Sequence, residues 1–204
     1  MESMASLGWA CAFLDLDLNG EEELLVFNGH VYSEAVTAPM GWHHRQTPLL
    51  FERQGQRFER VSPAAPGHWL NQAHCDRGAV FGDLDGDGDL DMVVVESNGP
   101  LRLLRNDAAV GHWMVVRLLD DRPGSQNTGA LGARLVLDPE ARSQTRWLVG
   151  GLSYQGATSP MAHFGLGEDA GPHNLAVLWP DGERQLFENL SSDQVHVLRR
   201  EGVR

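Results

Sequence analysis

The feature that most constrains the fold is a segment that occurs twice, at residues 8–28 and 78–98. In each copy, small and aromatic residues precede an acidic loop, and a run of branched apolar residues follows it. Each copy ends with Asn and is followed by Gly, a dipeptide typical of tight turns. The pattern predicts two strand–loop–strand units that fold alike.

The second acidic loop has the ligand spacing of a calcium site. Loop positions one, three, five and nine are carboxylates and position six is glycine, namely Asp83, Asp85, Asp87, Asp91 and Gly88. Alternate spacing lets the side-chain oxygens converge, and the position-seven residue, Asp89, can add its backbone carbonyl. Ca²⁺ takes about six to eight oxygen ligands in irregular geometry, whereas Mg²⁺ requires a tighter octahedron. Because the loop contains no Cys or His, its chemistry favours calcium over zinc or copper.

The first acidic loop is a less complete copy of the second. Its residues at positions one, three, five, seven and nine are Asp15, Asp17, Asn19, Glu21 and Glu23. Ligand charge sets calcium affinity, so this loop is predicted either to bind calcium more weakly or to have lost its metal. Neither loop is an EF-hand, because position twelve is Val26 or Val94 instead of glutamate, and the flanking residues are strand-like.

Short strand-like segments predict an all-β fold for the rest of the chain. Residues 49–61 have a hairpin pattern around a Gln-Gly turn, and 101–106 supply a strand after the second loop. Later strand-like segments, rich in Val, Leu and Trp, cover 112–118, 132–138, 143–149, 174–179 and 195–198. Because the pattern changes after Asn106, the sequence predicts one domain at 1–110 and a β-sandwich-like or barrel-like domain at 111–204.

The charge balance and hydropathy disfavour several kinds of partner. The net charge is −12 and the pI is near 5.1, which disfavours duplex nucleic acid because such partners require a cationic face. No run approaches the roughly 20 apolar residues of a membrane span, and residues 1–6 do not have the pattern of a signal peptide. The two cysteines, Cys11 and Cys75, could form one disulfide or remain free thiols.

The order of motifs resembles two known families in succession. The acidic repeats, with Phe81-Gly82 ahead of Asp83, resemble the FG-GAP/VCBS repeat, which forms calcium-binding blades of β-propellers. Later motifs resemble the ASPIC/UnbV domain: Gly-Ala-Leu-Gly-Ala-Arg at 129–134, Gly-Gly-Leu-Ser-Tyr-Gln at 150–155, His-Phe-Gly-Leu-Gly at 163–167, Leu-Trp-Pro-Asp-Gly at 178–182, and Glu188-Asn189. The resemblance implies a partial β-propeller of two calcium-loop blades followed by a β-sandwich-like domain. Since a propeller has about four to eight blades, the chain resembles the C-terminal part of a longer bacterial member, extracellular or periplasmic in location.

The residue patterns and the resemblance together favour a calcium-binding, non-catalytic module for binding or adhesion. Its ligand could be a protein or a carbohydrate, and the open sheet edges of two unclosed blades favour self-association. The alternatives are an accessory protein or enzyme of enediyne-type biosynthesis, to which UnbV-like proteins are linked, and a scaffold without metal. Residues 151–156 do not match Gly-x-Ser-x-Gly, and His163 has no assignable catalytic partner, so the sequence does not indicate an enzyme. His163 is predicted to be a structural residue ahead of a tight glycine turn.

Overall fold

The structure is a computed structural model that describes residues 6–65, 67–107, 110–140, 143–151 and 153–200. Within these ranges the chain forms fourteen β-strands, one turn of α-helix and two short 3₁₀ segments. The predicted all-β class is therefore confirmed. The amino-terminal residues 1–5, and Leu152 of the Gly-Gly-Leu-Ser-Tyr-Gln motif, lie outside the described residues.

The first four strands form one antiparallel sheet in chain order. They are β1 (Gly8–Leu14), β2 (Glu23–Asn28), β3 (Leu49–Gln54) and β4 (Arg57–Val61). The first acidic loop connects β1 to β2, and the predicted hairpin connects β3 to β4 through Gly55, whose φ of 64° suits glycine. Ala10, Ala12 and Leu14 are buried at alternate positions of β1, because one face of the sheet lies against the core.

The next three strands form a second antiparallel sheet of the same design. They are β5 (Asp76–Gly82), β6 (Asp91–Glu96) and β7 (Leu101–Leu104), and the second acidic loop connects β5 to β6. The two sheets share one core, which contains Ala10, Ala12, Leu14, Leu25, Phe27, Leu70, Ala79, Phe81, Leu90, Met92 and Val94. The acidic loops therefore occupy corresponding connections in two sheets that pack against each other.

The sequence indicates two long loops, at 30–48 and 62–76. The first joins β2 to β3 within one sheet, and the second leads from β4 of that sheet into β5 of the next. The first contains the short helix α1 (Glu34–Thr37) followed by a 3₁₀ segment at Ala38–Met40. The second contains a 3₁₀ segment at Trp69–Asn71, whose side chains help to cover the shared core.

The last seven strands form two further sheets around a separate core. They are β8 (His112–Leu119), β9 (Arg134–Leu137), β10 (Gln144–Trp147), β11 (Ala162–Gly167), β12 (His173–Leu178), β13 (Arg184–Leu190) and β14 (Gln194–Arg199). One sheet has the strand order β10-β9-β12-β13, and in the other β8 lies between β11 and a parallel β14. Their common core contains Met114, Val116, Leu118, Ala130, Ala133, Leu135, Leu137, Leu148, Ala162, Phe164, Leu175, Val177, Trp179 and Leu190. We refer to β8–β14 as the C-terminal unit.

Two strands of the C-terminal unit were not expected from the sequence. His163 lies within β11, and the predicted glycine turn is a register shift between Gly165 and Gly167 inside the pairing with β8. This glycine-rich segment is a strand because Phe164 is buried in the core while its backbone bonds to β8. β13 has a mostly polar sequence, and Phe187 packs against the core while most of the other side chains of the strand remain exposed or partly exposed.

The structure decides between the two predicted states of the cysteines. Cys11 is exposed and Cys75 is buried, and both are free thiols. No helix in the described ranges is long and apolar enough to cross a membrane. β4 and β7 are edge strands of their sheets, so self-association through these edges stays a prediction.

Candidate metal sites

The two acidic loops fold with the same hydrogen bond at their first position. In the first loop, the backbone N–H of Gly20 donates to Asp15 Oδ2 at 2.9 Å. In the second loop, the N–H of Gly88 donates to Asp83 Oδ2 at 3.1 Å. Both glycines are at loop position six and have left-handed φ values of 88° and 97°, which a residue with a side chain adopts only under strain. Position six therefore makes the sharp turn in both loops.

Position nine closes each loop from its other end. Glu23 Oε2 accepts a hydrogen bond from the N–H of Leu16 at 2.9 Å, and Asp91 Oδ2 accepts one from the N–H of Leu84 at 3.0 Å. Asp91 Oδ1 also accepts from the N–H of Asn106 at 2.8 Å, which ties the second loop to the segment after β7. The loop contact is the same in both copies, although glutamate is one methylene longer than aspartate.

The side chain at position five makes a local hydrogen bond in the middle of each loop. Asn19 Oδ1 accepts from the N–H of Glu21 at 2.7 Å, and Asp87 Oδ1 accepts from the N–H of Asp89 at 3.2 Å. Asn19 thus makes the same local turn as its aspartate counterpart. The position-seven side chains differ, because Glu21 is exposed and Asp89 is buried.

Three carboxylates converge in each loop, at positions one, three and nine. They are Asp15, Asp17 and Glu23 in the first loop and Asp83, Asp85 and Asp91 in the second. Within each group, one oxygen from every residue lies within 4.8 Å of the others. Asp87 belongs to the same loop but not to this group, and its Oδ1 accepts from the backbone N–H of Asp89. The side chains at positions one, three and nine therefore converge in both loops, whereas Asp87 at position five is outside the group, and metal binding itself stays a prediction.

Several carboxylates of the two loops are buried without enough favourable contacts to stabilise their negative charge. Asp15 is 2% exposed, and burial raises its pKa to about 6. Burial also raises the pKa of Glu23 to about 7, and burial together with the adjacent Asp87 raises that of Asp89 to about 7. The Oδ1 atoms of Asp15 and Asp89 are buried without a hydrogen-bond partner in the part of the chain that is described. A bound cation would restore their ionised form, so these residues fit a hard, oxygen-seeking metal.

An arginine of the C-terminal unit neutralises part of the first loop. Arg146 Nε lies 3.2 Å from Glu22 Oε1, and a terminal nitrogen of Arg146 lies 4.0 Å from Asp15 Oδ2. Its side chain is only 12% exposed, so solvent screens this charge weakly. In the second loop, Arg105 lies 3.7 Å from Asp85 Oδ2, but its side chain is 61% exposed. The stronger built-in counter-charge of the first loop favours weaker cation binding there.

Two residues considered for catalysis make contacts between distant parts of the chain. Ser153 Oγ accepts a hydrogen bond from the N–H of Ala79 at 2.8 Å. His163 Nε2 lies 2.8 Å from the carbonyl oxygen of Gly88, and burial lowers the pKa of this histidine. A neutral His163 therefore donates to the second acidic loop across 75 residues of sequence, a relation that no local spacing indicates.

The comparisons with known proteins agree with part of the resemblance. Residues 123–204 match the family described as ASPIC and UnbV, so the predicted similarity of the C-terminal region is confirmed. The chain is 28% identical to human cartilage acidic protein 1 over 88% of its own length and 26% of the relative. The mouse protein is 28% identical over 88% of this chain and 27% of the relative. The Xenopus tropicalis protein is 32% identical over 52% of this chain and 16% of the relative. The chain thus spans about a quarter of the length of the human and mouse relatives.

Proposed function

We propose that this chain is a calcium-binding, non-catalytic binding module in which each acidic loop holds a structural Ca²⁺. The observation that carries the proposal is the identical closure of two loops around three convergent carboxylates, within 4.8 Å of one another. The buried Oδ1 of Asp15, which has no partner among the residues that the structure describes, is a second argument, because such a carboxylate oxygen is destabilising unless a cation compensates it.

The residues present suit calcium better than other common metals. Both convergent groups consist only of carboxylates, and the loops contain neither Cys nor His, whereas zinc and copper favour nitrogen or sulfur ligands. The side chains at positions one, three and nine would hold the ion, and Glu21 or Asp89 would add the position-seven carbonyl. When bound, calcium would cancel the repulsion among these carboxylates and join the ends of the two strands that flank each loop.

The two sheets with their acidic loops are best explained as FG-GAP/VCBS-type propeller blades of a longer protein. The internal repetition of strand, acidic loop and strand supports this, and so does the greater length of the cartilage acidic proteins. The name of these relatives refers to cartilage, a tissue with an extensive extracellular matrix, which supports an extracellular or exported location. There the module would bind a protein or carbohydrate ligand, at calcium concentrations that suit sites of modest affinity.

Thermal unfolding and isothermal titration test the proposal. Calcium that binds only the folded chain at a hundred times Kd adds about 2.7 kcal/mol of stability. For a chain of this size that corresponds to a rise in Tm of roughly 5–10 °C over the Tm in chelator. Magnesium at the same concentration should give a smaller rise, because it retains its waters.

Single-loop variants assign the sites. Asp85→Ala should remove the tighter titration step and Asp17→Ala the weaker one, since each deletes a position-three ligand that is exposed and outside the core. Glu188→Gln, an exposed acid on β13, is the matched control and should titrate like the parent chain. Equal Tm values in calcium and in chelator would show that the loops hold no calcium, as a scaffold without metal would.

A further inference from the structure

The first acidic loop is bonded directly to strand β11 of the C-terminal unit. The N–H of Gly165 donates to Asp15 Oδ2 at 3.1 Å, and the N–H of Gly167 donates to the carbonyl of Leu18 at 2.7 Å. β11 is an edge strand of its sheet, so these donors would otherwise be unpaired on that side. The loop therefore completes the hydrogen bonding of an edge in the other unit.

This contact is close enough to require glycine on β11. A Cβ atom added at Gly165 would lie 2.3 Å from Asp15 Oδ2 and 2.5 Å from the Cα of Leu18. Real side chains do not approach backbone this closely, so a larger residue would push the first loop away from β11. Gly20, at position six of the loop, is less crowded, since its added Cβ would lie 3.3 Å from the carbonyl oxygen of Gly165.

The second acidic loop docks on the same strand and on its neighbour β8. His163 Nε2 lies 2.8 Å from the carbonyl oxygen of Gly88, as described above. A Cβ added at Gly88 would lie 2.0 Å from the indole nitrogen of Trp113, so the loop approaches this ring too closely for a larger residue. His163 and Gly165 are two positions apart on β11, so they lie on the same face of the strand. One short segment of β11 therefore contacts both loops.

The carboxylate of Asp15 connects this interface to the proposed calcium ion. Its Oδ2 accepts from Gly20 in the loop and from Gly165 on β11, so both donors fix its orientation. Its Oδ1 is buried and has no hydrogen-bond partner within the described ranges. Asp15 as a residue belongs to the convergent group with Asp17 and Glu23. One side chain thus bonds to the C-terminal unit through Oδ2 and keeps Oδ1 available to a cation.

We propose that Gly165 and His163 are positioning residues for the two calcium loops, so that calcium binding and docking of the C-terminal unit are thermodynamically linked. The proposal rests on the calcium function proposed above. A cation that orders Asp15 stabilises its bond to Gly165, and a docked β11 holds Asp15 in the geometry that receives the cation. By reciprocity, each event strengthens the other by the same factor, commonly about 5-fold to 150-fold.

The first experiment measures the effect of β11 on calcium affinity. It uses the full chain in an Asp85→Ala background, which isolates the first loop, and compares Gly165→Ala with Gly129→Ala by isothermal titration. An alanine Cβ at Gly129 would meet Pro160 at 3.7 Å, an ordinary contact, so this variant is the matched glycine control. We expect Gly165→Ala to weaken calcium binding by at least about 5-fold and Gly129→Ala to leave it unchanged.

The second experiment measures the effect of calcium on β11 and needs no change in that strand. Hydrogen exchange at the amides of Gly165 and Gly167 is followed by NMR, in calcium and in chelator. We expect calcium to slow both amides at least about 5-fold in the parent chain and to have no such effect in Asp17→Ala, whose substitution does not touch β11. This measurement decides the question even where Gly165→Ala does not fold.

The outcomes separate the inference from the function on which it rests. Calcium binding by titration with unchanged exchange at Gly165 and Gly167 would overturn the linkage and leave the calcium sites standing. Equal calcium affinity in Gly165→Ala and Gly129→Ala would overturn it as well. Absence of calcium binding in the parent chain would overturn the proposed function and, with it, the linkage.

Discussion

The raised pKa of Asp76, which lies at the end of β5 away from the acidic loops, can be tested by its effect on stability. This residue begins β5, is 0% exposed, and neither of its carboxylate oxygens has a hydrogen-bond partner in the ranges that the structure covers. Burial, followed by the charge of Glu96 on the adjacent strand, raises its pKa to about 7, while Arg45 and Arg77 oppose the shift. Asp76→Asn removes the titrating charge and keeps the shape of the side chain.

The size of the effect follows from the difference in pKa between the folded and unfolded chain. The pKa rises from 3.8 to about 7, and each pKa unit corresponds to about 1.36 kcal/mol. Because the folded-state pKa is the higher one, the stabilisation is fully present below pH 3.8 and is lost as the pH rises through about 7. Asp76 alone should therefore lower the free energy of unfolding by roughly 4 kcal/mol between pH 4 and pH 8.

The variant should be more stable than the parent chain at high pH and not at low pH. An uncharged amide buried without a partner costs about 1–3 kcal/mol, so the net gain of Asp76→Asn at pH 8 is roughly 1–3 kcal/mol. At pH 4 the parent carboxyl is protonated in the folded state, so the gain should reverse and the variant should be less stable by about 1–3 kcal/mol.

Urea unfolding of both chains in chelator, at pH 4, 6 and 8, measures these differences. The acidic loops also titrate, but they are common to both chains and lie about 20 Å away along β5, so their contribution cancels in the difference. Unfolding free energies that stay parallel across this pH range would refute the assignment of a raised pKa to Asp76. A variant that is less stable at every pH would show that the carboxylate of Asp76 makes a stabilising hydrogen bond.

Two further predictions concern the C-terminal unit. Arg200, with a side chain 1% exposed, bonds to Asp120 and Asp181, so Arg200→Met should cost about 3 kcal/mol in urea unfolding. Its neighbour Arg199 pairs with Asp121 at the surface, and Arg199→Met should cost less than about 1 kcal/mol. Leu175 is fully buried in the core, so Leu175→Ala should lower the free energy of unfolding by about 2–5 kcal/mol and lower the Tm. A loss below about 1 kcal/mol would contradict this packing.

Much of the two N-terminal sheets could be predicted from the sequence, because the residue patterns that specify them lie close together in the chain. Each acidic loop and its flanking strands lie within 21 consecutive residues, and the hairpin at β3 and β4 has its turn between the two strands. The ligand positions one, three and nine converge for the same reason, since a nine-residue loop closed by its own glycine has few alternative shapes. Position five was less predictable, because its side chain can either join a cation or bond to the backbone of the loop.

The C-terminal unit was less predictable where strands depend on distant partners. β11 contains two glycines and was expected to form a turn, yet pairing with β8 and burial of Phe164 make it a strand. β13 is mostly polar, and its pairing with β12 and the packing of Phe187 against the core give it strand structure. Local propensity is weak in both segments, so tertiary contacts decide their conformation.

The sequence by itself determined the all-β class, the two acidic repeats and the oxygen-only character of their loops, because these depend on residue type and on spacing within a few positions. Only the tertiary structure decided that the two loops meet on one strand of the C-terminal unit. The bond between Asp15 and Gly165 joins residues 150 positions apart, and the one between Gly88 and His163 joins residues 75 apart. Such contacts leave no periodic or compositional pattern in the chain, because they are made by backbone groups and glycines whose role depends on what lies opposite them in space.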